Sequence, residues 1–168
     1  SVLGRLESQH QFLSAQELGD LCRSIALGRF LPNLPPTVTH QLLTMQGSAH
    51  SAASLSNSIW ALATLKQTSA ACLPVLFQEV LKRDVSTWTS QQISDLCYAL
   101  CQIKPTPTQL FDHMANSMNL DAFALKDAIR IHFSFALSKQ FSLNRRMTTY
   151  CLRHAHAIPL LVPQDFTN

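Results

Sequence analysis

Arg29, Lys66 and Lys104 recur at a near-constant step along a chain of 168 residues. A row of cations at regular spacing suits a phosphate backbone, because neutralising phosphates dominates nucleic-acid affinity. The same row suits a plainer use, since a cation at a helix C-terminus is favoured by about 0.3–1 kcal/mol. A second basic group lies toward the C-terminus. No carboxylate falls between Asp127 and Asp165, whereas Arg130, Lys139, Arg145, Arg146 and Arg153 do, along with His132, His154 and His156. Arg145 and Arg146 stand near an expected helix start, where a cation opposes the dipole. A bound phosphate is one reason for such a placement, and a solvated face is the other reading. These eight Arg and Lys residues form the candidate RNA-contacting set.

Asp20, Asn57 and Asp95 share one repeat position. Modular readers of RNA bases use such positions, but an acid is a poor companion for phosphate, and a bond to a neighbouring helix is the competing use. Trp60, Tyr98 and Phe135 could stack on bases; filling a core is the alternative. Cys97 and Cys101 share a helix face without a second ligand pair, so no metal or other cofactor is expected. No Walker loop, G-x-G-x-x-G, G-x-S-x-G or H-E-x-x-H pattern occurs, and carboxylates are sparse, so no catalytic residues and no small-molecule substrate are assigned.

What must position these side chains is a repeat. Trp60-Ala61-Leu62 returns as Tyr98-Ala99-Leu100 and as Phe135-Ala136-Leu137, with Arg23-Ser24-Ile25 as a weaker relative. The steps are 37 (60 − 23), 38 (98 − 60) and 37 (135 − 98) residues. A period of this size marks units too thin to bury their own apolar faces. Each phrase lies in an apolar pattern of helical spacing, over 14–29, 51–66 and 89–104. Ser51 is placed to cap the second helix, and Ser14 with Glu17 forms a capping box on the first. A fourth such helix is expected to start from a cap at Asp121 and to be longer at its N-terminus. In every phrase the alanine is expected to let neighbouring helix backbones approach.

Second helices are expected over 37–46, 75–83, 108–118 and 145–156. Pro35-Pro36, Pro74 and Pro107 mark three of their starts and Gly47 one end. The expected fold is all-α: a right-handed α-solenoid of about four two-helix repeats in one domain, 1–168. Its units are 14–47, 51–86, 89–118 and 121–158, after a partial leading unit over 1–12.

Composition agrees. Hydrophobic residues make up 46%, enough for a continuous core, and glycine numbers 4, too few for a turn-dense β fold. Charged residues are only 14% and the net charge is +3, which permits nucleic acid without demanding it. Five cysteines, an odd number within apolar patterns, suit a reducing compartment. No apolar run approaches the roughly 20 residues that span a bilayer, so no membrane insertion is expected.

The text Ala53-Ser54-Leu55-Ser56-Asn57-Ser58-Ile59-Trp60-Ala61-Leu62-Ala63-Thr64-Leu65 resembles the repeats of the octotricopeptide and heptatricopeptide families and of FAST-kinase-like proteins. The resemblance covers about four units, weakest in the first (Arg23) and the fourth (His132), and no RAP domain is visible. It implies organellar RNA work, foremost as a structural piece of a mitochondrial ribosome or ribonucleoprotein in the organelle matrix, with a plastid as the alternative. The competing expectation is a protein scaffold or assembly subunit of an organellar complex. Val2, Leu3, Leu160, Leu161 and Val162 leave the ends of the array apolar, so neighbouring proteins are expected there.

Overall fold

The computed structural model describes residues 13–45, 50–140 and 144–154. Among them are eight α-helices and two 3-10 turns, and no strand. The fold is all-α. The helices are α1 (Ala15–Gly28), α2 (Pro36–Thr44), α3 (Ala52–Thr64), α4 (Cys72–Leu81), α5 (Ser90–Gln102), α6 (Thr108–Ser117), α7 (Leu125–Leu137) and α8 (Asn144–Arg153). The chain divides into two compact units, Ser1–Glu79 and Val80–Asn168. The leading segment over 1–12, Gly47 and the C-terminal apolar residues 160–162 lie outside the described residues.

Three long helices begin in the same way. Ser14 accepts a hydrogen bond from the Glu17 amide while the Glu17 carboxylate accepts from the Ser14 amide. Ser51 with Ser54 and Thr89 with Gln92 repeat the exchange. Each box satisfies two donors that the helix cannot, and an N-cap of this kind stabilises by about 1 kcal/mol. The Ser14 hydroxyl and amide hold the Glu17 carboxyl below its ordinary pKa.

In the first unit α1 packs side by side on α3. Gly19 makes the contact possible: a Cβ there would lie 2.7 Å from the Ser54 Cα. Leu18, Leu55, Ile59, Leu62 and Leu76 are fully buried. Ser54, Ser56, Ser58, Ala61 and Ala63 are buried too, so small side chains, not large ones, set the spacing of this helix. In the second unit α5 packs on α7, and α7 on α8. Its core holds Ile93, Leu96, Leu100 and Leu110, with Phe111 and Phe135 edge to face at 4.8 Å.

The fourth unit departs from the expected register. Asp121 does not cap a long helix; it lies in the 3-10 turn Leu120–Ala122, where its amide donates to the Asn119 side chain. Phe123 follows in extended backbone, buried, and its carbonyl accepts from the Tyr150 hydroxyl at 2.8 Å. That anchoring breaks helical continuity, so α7 begins at Leu125 behind an Ala124 cap and has 13 residues, like α3 and α5. The caps Ser14, Ser51, Thr89 and Ala124 step by 37 (51 − 14), 38 (89 − 51) and 35 (124 − 89).

Counted from its cap, Phe133 therefore takes the place of Trp60 and Tyr98, nine residues in (133 − 124, 60 − 51, 98 − 89). Phe135, at eleven, falls in the row of Leu62 and Leu100. The third aromatic-alanine phrase is thus out of frame: Ala61 and Ala99 are fully buried, whereas Ala136 is exposed and Leu137 is 53% exposed. One second helix also differs. α4 starts at Cys72 and carries Pro74 inside its first turn, where a missing amide leaves no bond unmade.

Burial makes the register testable. Ala99→Phe overpacks the unit and lowers stability by about 1–3 kcal/mol, while Ala136→Phe leaves the melting temperature nearly unchanged. Thermal unfolding followed by circular dichroism measures both.

Candidate nucleic-acid interface

Arg29, Lys66, Lys104 and Lys139 stand fifteen residues after their caps (29 − 14, 66 − 51, 104 − 89, 139 − 124). All four are exposed, just past the ends of α1, α3, α5 and α7. Arg29, Lys66 and Lys139 adopt the left-handed backbone conformation, with φ of 49°, 59° and 56°. Around Lys66 the Gln67 amide donates to the Leu62 carbonyl and the Lys66 amide to that of Ala63. Gln140, Lys139, Phe135 and Ala136 repeat this pattern, so both Lys-Gln pairs close a Schellman motif. Lys104 keeps an Nζ contact of 3.3 Å with the Thr106 hydroxyl. Among the described residues none of the four is in a salt bridge.

The remaining cations of the set are used differently. Arg130 donates to Asp95 Oδ1 at 3.2 Å and lies over the Tyr98 ring at 5.8 Å, with its side chain 16% exposed. Counted from the caps, Arg130 and Asp95 occupy the same position, six residues in (130 − 124, 95 − 89). Asp20 and Asn57 also stand there (20 − 14, 57 − 51), and they too bond each other, Asn57 Nδ2 donating to Asp20 Oδ1 at 3.1 Å. Arg23 adds a bond to Asn57 Oδ1 at 3.2 Å and covers the Trp60 ring at 4.9 Å. Position six is therefore a polar tie between paired helices in each unit, the use that competed with base reading.

Arg146 reaches the carbonyls of Ala115 and Met118, at 3.3 and 3.4 Å, at the C-terminal end of α6. This explains a cation in the first turn of α8: its head sits where the dipole of another helix is negative. Arg153 is exposed in the last turn of α8. The Arg145 side chain and His156 lie outside the described residues. The His154 ring stacks on Tyr150 at 4.4 Å. Trp60 and Phe135 are buried, and Tyr98 is half-buried beneath Arg130.

Burial disarms the deepest thiols. Loss of solvation pushes the Cys22 thiol up to about 12 and raises that of Cys97 as well, with Met114 sulfur 3.6 Å from Cys97. The nucleophilic and metal-binding form is the thiolate, so neither thiol supplies it near neutral pH. No group of three His, Cys, Asp or Glu side chains that could hold a metal ion occurs among the described residues. No helix among them is long and apolar enough to cross a membrane.

No protein-family model, curated protein or solved structure matches the chain.

The polar tie and the buried thiols can each be checked. Arg130→Ala removes a charged donor from the buried Asp95 carboxylate and costs about 1–3 kcal/mol; a double-mutant cycle with Asp95→Ala returns a coupling of the same sign. Cys22 and Cys97 resist iodoacetamide in the native protein at neutral pH and are alkylated in denaturant, as peptide mass mapping detects.

Proposed function

We propose that this is a non-enzymatic helical-repeat protein that contacts RNA phosphates through the cations beyond its longer helices. The units are read as successive turns of a right-handed α-solenoid. The setting is an organellar ribonucleoprotein, foremost a mitochondrial ribosome.

The observation that carries the reading is the left-handed residue itself. A side chain there costs about 1–2 kcal/mol, and glycine or asparagine is the ordinary choice. Complementing a helix dipole returns only about 0.3–1 kcal/mol, and any residue of the last turn would serve. Yet the last turns of α1, α3, α5 and α7 carry no basic residue. At Arg29, Lys66 and Lys139 the cation is placed instead where the backbone disfavours a side chain, beyond the helix end and exposed. A ligand outside the chain accounts for that placement, and phosphate suits a row of point charges. The organellar setting rests on the octotricopeptide-like text around Trp60.

A protein scaffold is the second reading. It is favoured by the exposed apolar side chains of α7 and α8: Phe133 at 54%, Leu137 at 53% and Leu152 at 70%.

Filter binding to single-stranded RNA over a salt series tests the first reading. Arg29→Glu/Lys66→Glu, and separately Lys104→Glu/Lys139→Glu, weakens binding and lowers the slope of log K against log salt by about 1.4, roughly 0.7 for each of the two phosphates no longer neutralised. Unchanged affinity and slope in both variants reject the RNA reading and leave the scaffold.

A further inference from the structure

The paired helices of each unit meet through fixed rows. The leading helix offers its forward face: Gln16 and Gly19, two and five residues past the cap of α1, meet Ser51 and Ser54 at the cap and third position of α3. In the second unit Ser90 of α5 donates to Asp127 at the third position of α7, at 2.6 Å. Cys101, twelve residues past its cap, meets Ser134, ten past the cap of α7. Forward positions are thus covered by the next helix: Ala26 and Cys101, both at twelve, are 2% and 8% exposed.

On α7 no described residue covers the forward face at these positions. Phe133 at nine is 54% exposed and Ala136 at twelve is exposed, where Ala26 and Cys101 are covered. Among the described residues the rear face of α1 is uncovered as well. Its cap Ser14, then Glu17 and Ser24 at three and ten, are exposed. Polarity does not disqualify that face, because rear faces in this chain are polar even where a neighbour covers them. Ser54 of α3 and Asp127 and Ser134 of α7 are 0%, 2% and 0% exposed. α1 carries elements of both covered faces: a hydroxyl at the cap as in α3 (Ser51), an acid at three as in α7 (Asp127) and a small residue at ten as in each (Ala61, Ser134).

Charge fits too. Lys126, exposed at position two of α7, would face the cap and third position of an incoming helix, where α1 carries Ser14 and Glu17. The equivalent pair in the first unit is Gln16 with Ser51, 2.9 Å apart.

We propose that α7 of one copy of this chain takes α1 of a second copy as its next helix, so that copies associate head to tail. The interface is heterologous, and each addition leaves a fresh α7 face and a fresh α1 face open. The inference is independent of RNA contact.

Sedimentation velocity of the full chain over a concentration series tests it. The weight-average mass rises steadily above that of the 18.7 kDa monomer. Phe133→Glu/Leu137→Glu closes the α7 face and Ser24→Arg closes the α1 face; every substituted residue is exposed. Each variant alone stays monomeric, and an equimolar mixture forms one-to-one dimers, because each supplies the face the other retains. A wild-type mass that stays monomeric at every concentration overturns the proposal, whatever the variants do. So does continued self-association of Ser24→Arg, which would mean that α7 pairs with its own kind, or association of both variants, which would place the contact elsewhere.

Discussion

Everything in each unit depends on how closely two parallel-running helices can lie. Gly19 against Ser54 sets that distance in the first unit, and any Cβ at Gly19 would collide with backbone rather than with a movable side chain. Small side chains along α3 then let its backbone sink among its neighbours, and large residues are left to fill the layer behind. A core spaced by serine brings hydroxyl groups inside. Ser134 bonds back to the Arg130 carbonyl within its own helix, which keeps its polar group satisfied.

Close helices bring the two groups at position six within reach of each other, and this decides that position's role. An amide opposite an acid (Asn57 and Asp20) and a cation opposite an acid (Arg130 and Asp95) are two solutions to one geometric problem. Directional bonds resist sliding by a turn, which smooth Ala and Ser surfaces alone would permit. The arginines that lie over Trp60 and Tyr98 extend the same ties and cover aromatic faces that would otherwise be open to solvent.

The sequence was legible where local chemistry acts within a few residues. Ser14 with Glu17 announces a cap, Pro36 a first turn, and the apolar rows of α1, α3 and α5 their buried faces. It misled where a phrase was matched by residue type. Phe135-Ala136-Leu137 looks like its predecessors but lies two residues off the helical frame, and the frame is set by the turn before it. A better signal was present: Asp84-Val85-Ser86-Thr87-Trp88-Thr89 and Asn119-Leu120-Asp121-Ala122-Phe123-Ala124 are one motif. In each, a side-chain oxygen accepts from the amide two residues on, a 3-10 turn follows, and a buried aromatic precedes the cap. The positions step by 35 (119 − 84), as the caps do. Turn chemistry carried the true period because the turn, not the packing phrase, starts the helix.

The cations show why charge alone reads poorly from sequence. Arg23, Arg130 and Arg146 are chemically like the others but reach Asn57, Asp95 and the carbonyl end of α6. What separates Arg29, Lys66, Lys104 and Lys139 is their distance from the cap, and that distance exists only once helix starts are known. Fifteen residues past each cap the helix has ended and the chain must turn away, so a side chain there is held at a fixed point yet projects clear of the packed layer. A position of that kind is useless for tying helices together and well suited to meeting something outside them. The backbone strain accepted at three of the four sites has no counterpart among the inward arginines, whose φ values are ordinary. Strain at an exposed cation therefore sets these three sites apart from the arginines that serve the fold, and it is the ground on which they are proposed to meet a ligand.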